Sequence, residues 1–128
     1  MRVTEKAFEA QMRFLKENGY HVITLEAFLD FVEMKADIPE KSVVITIDDG
    51  WRSLYTIAYP ILRKYDFPAT LFVYTDFVGG SKALAWEQIR ELSQTGFDIQ
   101  CHTISHRYLT KRKKGETFEN YFTAIEKE

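Results

Sequence analysis

Apolar residues recur along this chain in two rhythms. Phe8, Met12 and Leu15 fall at helical steps, with Thr4 ahead of them as an N-cap type and Gly19 behind them as a stop. Leu25, Phe28, Leu29 and Val32 form a second helical stripe, and His21-Val22-Ile23-Thr24 before it reads as a short strand or extended link. Leu54, Ile57, Ala58, Ile61 and Leu62 share one helical face. Pro60 interrupts that face, because it supplies no amide donor and clashes with the preceding turn, so a kink or a break into two short helices is expected. Trp86, Ile89 and Leu92 make another stripe, ending at Gly96. Phe118, Tyr121, Phe122 and Ile125 begin a last one, capped by Thr117. The other rhythm is the short unbroken run. Val43-Val44-Ile45-Thr46-Ile47 reads as a strand buried on both faces, as does Ala69-Thr70-Leu71-Phe72-Val73-Tyr74, and Phe97-Asp98-Ile99-Gln100-Cys101 is a third strand. Polar turns separate these elements at 35–41, Asp66-Phe67-Pro68 and Gly79-Gly80.

Strands alternating with helices, joined by connections too long for hairpins, predict an α/β fold with a parallel sheet built from βαβ units. A length of 128 residues bounds this to a single domain, and 45% hydrophobic with 15% aromatic residues supply a core. A net charge of −2 gives no basic surface for nucleic acid. The run Lys111-Arg112-Lys113-Lys114 reads as a solvated loop. The single cysteine, Cys101, excludes an internal disulfide. No stretch is long and apolar enough to span a bilayer, and Met1-Arg2-Val3-Thr4-Glu5 lacks the apolar run of a signal peptide. The last apolar stripe has no partner stripe after it, which suggests that the natural protein continues.

Chemistry gathers at two strand ends. The first strand delivers Asp48-Asp49-Gly50, and the third runs into His102-Thr103-Ile104-Ser105-His106. Ligands in α/β folds collect beyond the carboxyl ends of strands. Adjacent carboxylates repel, which favours a cation beside them. Taken alone, Asp49-Gly50 reads as a turn and the histidines as unrelated loop residues. Taken together, one carboxylate and two imidazoles make a divalent-metal site, with the histidines brought together by a helical turn or a tight loop. His21 has no partner in sequence and reads as ordinary surface or core. Three protein ligands leave positions open for water and substrate, so the site is catalytic in type. Metal-activated water with the remaining aspartate as general base points to hydrolysis of a carbonyl compound. A two-histidine, one-carboxylate iron oxygenase would sit in an antiparallel barrel, unlike this pattern. A D-x-D phosphatase would need spaced, not adjacent, aspartates.

Ile45-Thr46-Ile47-Asp48-Asp49-Gly50 resembles the T-F-D-D-G motif of polysaccharide deacetylases, the NodB-homology or carbohydrate esterase family 4 group. His102-Thr103-Ile104-Ser105-His106 matches that family's H-[ST]-x-x-H motif. Tyr59-Pro60-Ile61-Leu62, Phe67-Pro68-Ala69-Thr70-Leu71-Phe72-Val73, Leu84-Ala85-Trp86-Glu87 and Gly96-Phe97-Asp98-Ile99 resemble its intervening segments, so nearly the whole chain is covered. The stretch from Phe8 to Val32 is similar to the segment that precedes the first motif in the poly-β-1,6-N-acetylglucosamine subgroup.

The resemblance implies the N-terminal part of a distorted (β/α) barrel, residues 1–128 being a single domain cut short on its C-terminal side. It implies Asp48 as general base, and Asp49, His102 and His106 as ligands to zinc, with cobalt or nickel substituting. The implied substrate is an N-acetylated glucosamine polysaccharide, and the implied location is extracellular or in the cell envelope. Thr103 and Ser105 would shape the histidine loop, Gly50 would permit a close turn beside the metal, and Trp51 could stack on a sugar ring. Ile47 stands where the family has phenylalanine. The family's later motifs, R-x-P-[YF], D-x-x-D-W and the L-x-H that supplies the catalytic acid, have no counterpart in these residues. An inactive fragment, or a non-catalytic carbohydrate-binding relative of the same fold, is therefore the alternative. Half a barrel also leaves strand edges unpaired, which invites self-association.

Overall fold

The computed structural model describes residues 3–128. Helix α1 (Glu5–Glu17) starts where Thr4 Oγ1 accepts the Ala7 N–H at 3.2 Å and stops at Asn18, followed by Gly19 at φ +69°. Strand β1 (His21–Ile23) leads into helix α2 (Leu25–Val32). Thr24 is the cap of α2 rather than the end of the strand, its Oγ1 accepting from the Ala27 N–H at 3.1 Å. The run after the polar turn is two strands, not one. β2 (Ser42–Val44) pairs in parallel with β1, and β3 (Thr46–Asp49) pairs in parallel with β4 (Ala69–Val73). Ile45 sits between them, and its carbonyl accepts the Thr70 N–H at 3.0 Å, so the chain changes partner at this residue.

The expectation that this run is buried on both faces is corrected: Val43, Val44, Ile45 and Ile47 are only half-buried, and Thr46 and Asp48 are exposed. Each of β2 and β3 also has one paired neighbour in its sheet, which leaves its outer edge unpaired. Burial on both faces belongs instead to β4. It is the centre of the three-stranded parallel sheet β3-β4-β5, with β5 at Phe97–Cys101. Both predicted strands after the Asp-Asp motif are present.

Pro60 produces a change of helix type. A π-helical turn at Leu54–Ala58 runs into α3 (Tyr59–Tyr65), so the proline lies in the first turn of the α segment, where its fixed φ is tolerated. Helix α4 (Trp86–Ser93) precedes β5, and Thr117 caps α5 (Phe118–Ile125) by accepting the Asn120 N–H at 3.2 Å.

The core lies on the side of the sheet that carries Leu71, Val73 and Phe97. There these residues pack with Met12 of α1, Ile61 and Leu62 of α3, and Ile89 and Leu92 of α4. Leu62, Leu71 and Leu92 are fully buried. Each such side chain contributes about 1.5–3 kcal/mol, and together they fix α3 and α4 against the strands that carry the acids and the histidines. The opposite face presents Thr46, Asp48, Phe72, Asp98 and Gln100, a largely polar surface. Phe28, Leu29, Phe31 and Val32 of α2, and Phe118 and Phe122 of α5, remain exposed.

Candidate metal centre

Sheet register decides what can meet. Asp49 and Cys101 both pair with Val73 on the central strand, so the ends of β3 and β5 lie level on either side of it. The His102 N–H continues the ladder by donating to the Val73 carbonyl at 2.8 Å. Alternation places His102 on the polar face, and its ring meets Phe72 edge-on at 6.5 Å.

Alternation alone would send the Asp49 side chain the other way, with Ile47. Asp49 instead adopts φ +75°, a left-handed conformation that breaks the pleat and turns its carboxylate toward the histidines. Its Oδ1 lies 3.8 Å from His102 Nε2 and 3.4 Å from His106 Nε2. Gly50 follows at φ +85°, with Val73 so close that a Cβ there would sit 3.1 Å from Val73 Cγ1.

His102 and His106 are joined by a tight loop rather than a helical turn. Thr103 at φ +71° and His106 at φ +57° are both left-handed, and for a β-branched threonine that is a strained state costing on the order of 1–3 kcal/mol. The loop is held from three sides. Thr103 Oγ1 accepts the His106 N–H at 3.0 Å, and the Ile104 carbonyl accepts the Asp76 N–H at 3.0 Å. Glu128 Oε2 accepts the N–H groups of Ile104 and Ser105 at 3.0 and 2.8 Å, and the Ser105 hydroxyl donates to its Oε1. That hydroxyl, then the Ser105 and Ile104 amides, hold the Glu128 carboxyl below its ordinary range. The imidazoles end with ring centroids 4.9 Å apart, and Tyr74 packs on His106 at 5.0 Å.

One carboxylate oxygen and two imidazole nitrogens thus lie within 4.8 Å of one another. Three donors bound tetrahedrally at about 2.0–2.1 Å from one zinc would sit about 3.4 Å apart. The observed Asp49 separations of 3.4 and 3.8 Å fit that requirement with small side-chain movements. The donor set is open, since the His106 side chain is 53% exposed and that of His102 35%.

Of the other residues singled out in sequence, Asp48 is exposed and its carboxylate makes no hydrogen bond or ion pair among the described residues. Trp51 donates its indole N–H to Asp49 Oδ2 at 3.1 Å and remains 42% exposed. It borders an open groove of about 900 Å³, lined also by Arg52, Ser53, Thr56, Ser81 and Lys82. Three contributors were not anticipated: Tyr74, Phe72 and Glu128. Tyr74 and Phe72 end a strand that was predicted, so its register against β5 could have pointed to them. Glu128 stands 23 residues from Ser105 and carries no local signal.

The family model for polysaccharide deacetylase matches residues 35–126. This chain belongs to the polysaccharide deacetylase family. It is 43% identical over 107 residues to a putative polysaccharide deacetylase of Bacillus subtilis, covering 83% of this chain and 38% of that protein. It is 32% identical over 124 residues to the poly-beta-1,6-N-acetyl-D-glucosamine N-deacetylase of Staphylococcus epidermidis, covering 92% of this chain and 43% of that protein. Among solved structures, the Streptococcus pyogenes deacetylase PplD in complex with acetate superposes with a TM-score of 0.80 at 32% identity, covering 87% of this chain and 50% of that one. The chain therefore spans about two fifths of the length of these curated relatives. Its α/β architecture is the fold of that family, and the strands that carry the acids and histidines lie within the matched region.

Proposed function

We propose that the protein to which this chain belongs hydrolyses N-acetyl groups of an N-acetylglucosamine polysaccharide, using a divalent metal, zinc in the first instance, held by Asp49, His102 and His106. The observation that carries this reading is the convergence of those three side chains at the ends of two strands of a polysaccharide deacetylase. The name of the Staphylococcus epidermidis relative supports the polymer class, and the acetate in the PplD complex supports the product class.

A divalent ion bound there would lower the pKa of water and polarise the acetyl carbonyl. The chain's own residues then have separable tasks. Asp49 Oδ1 and the two Nε2 atoms face one point, which fixes where that chemistry takes place. Asp48, on the polar face of β3 and free of partners among the described residues, takes the proton from water as general base. Trp51 and the adjoining groove, lined by hydroxyl and cationic side chains, offer a surface for a sugar chain. The overall change is cleavage of the amide C–N bond, with hydroxyl added to the acyl carbon and a proton to the departing nitrogen.

The test is release of free amine and acetate from β-1,6-linked N-acetylglucosamine oligomers by zinc-, cobalt- and nickel-loaded protein. Release that disappears in Asp48→Asn and in His106→Ala supports the proposal. Oligomer binding with no release in any metal form would replace it with the carbohydrate-binding reading.

A further inference from the structure

The two oxygens of the Asp49 carboxylate are divided between different neighbours. Oδ1 faces the histidine nitrogens at 3.4 and 3.8 Å, while Oδ2 accepts the Trp51 indole N–H at 3.1 Å. Trp51 is held in place for this contact. Its backbone forms a β-bridge to Ala83, the Leu84 N–H donates to the Gly50 carbonyl at 2.9 Å, and the Arg52 N–H donates to the Lys82 carbonyl at 2.8 Å. Its ring lies edge-on to Phe77 at 4.8 Å, Phe77 stacks on Tyr74 at 5.1 Å, and Tyr74 packs on His106 at 5.0 Å. A continuous row of aromatic rings therefore joins the group that holds the carboxylate to one of the imidazoles.

We propose that Trp51 is a positioning residue for Asp49: its indole N–H engages Oδ2, so that Oδ1 alone is presented to a divalent cation and the carboxylate binds through one oxygen. This rests on the metal reading above. A carboxylate free of that donor can rotate and chelate through both oxygens, which fills a position that water and substrate need. Hydrogen-bond donors behind metal ligands commonly change metal affinity 10- to 100-fold when removed. Trp51 thereby has a task different from that of a sugar-stacking platform, and its 42% exposure leaves both compatible.

The experiment compares wild type with Trp51→Phe, which keeps an aromatic ring against Phe77 but has no N–H. Zinc affinity is measured by competition with a chromophoric chelator, and cobalt(II) binding by visible absorption. The expected result is a loss of zinc affinity of about tenfold or more, with the metal-free melting temperature unchanged. A weaker cobalt(II) band is also expected, as its coordination number rises. Unchanged affinity together with an unchanged cobalt(II) band would overturn the proposal. If wild type itself takes up no metal, the metal reading fails instead, so the two failures are distinguishable. Should Trp51→Phe not fold, the wild-type indole resonance decides. Slow solvent exchange of the Trp51 N–H, slowed further by zinc, supports the assignment. Exchange as fast as that of the exposed Trp86, with and without zinc, overturns it.

Discussion

Replacing Gly50 by alanine tests how the fold delivers Asp49. Two separate effects apply at this position. Its φ of +85° is left-handed, and the new Cβ would lie 3.1 Å from Cγ1 of Val73, itself 6% exposed in the core. The left-handed conformation costs a non-glycine residue about 1–2 kcal/mol. Forcing a methyl against a packed side chain costs roughly 1–3 kcal/mol, and the reduced freedom of the unfolded chain returns about 0.4–1 kcal/mol. The net expectation is destabilisation of roughly 2–3 kcal/mol. Urea unfolding of Gly50→Ala, Val73→Ala and the double variant separates the two effects. Val73→Ala removes the clashing Cγ1 but leaves the backbone cost, so the pair should be non-additive by about 1 kcal/mol or more. A loss below about 0.5 kcal/mol for Gly50→Ala, or strict additivity, would refute the idea that close packing behind the glycine sets the geometry of the acid turn.

Two further outcomes follow from the same structure. Glu128 is held below the ordinary carboxylate range chiefly by the Ser105 hydroxyl and amide, so its grip on the histidine loop is complete at neutral pH and above the unfolded-state pKa. It is lost as pH falls through the lowered folded value. The amide resonances of Ile104 and Ser105 should therefore titrate together in acid, and Glu128→Gln should abolish that transition; independent midpoints for the two amides would contradict it. The free edges of β3 and β5 predict self-association of the isolated chain, to be read by sedimentation, where a clean monomer at high concentration counts against it.

Much of this architecture is written locally in the chain. Thr4 and Thr117 announce helix starts because a hydroxyl satisfies an orphan amide within three residues, and β4 and β5 announce themselves as bounded apolar runs. Pro60 marks a break, and the folded chain realises it as a π-helical turn ahead of the α segment. The division at Ile45 is invisible locally, since it arises from a change of strand partner between β1 and β4. Motif spacing singles out Asp49, His102 and His106 as candidates, yet what brings them together is non-local. It consists of the shared register on Val73, the left-handed turn at Asp49 and the clamp from Glu128. Trp51 is the instructive case. Its side chain suggests sugar stacking, and only the folded geometry shows that its N–H reaches a carboxylate two residues away, at 3.1 Å.

The proposed chemistry requires one ion shared by Asp49, His102 and His106. Anomalous diffraction from zinc-loaded crystals tests it most directly. A single zinc peak is expected about 2.0–2.2 Å from Asp49 Oδ1 and from Nε2 of both histidines. A zinc peak bound elsewhere, or one that touches the histidines while Asp49 stays turned away, would contradict it.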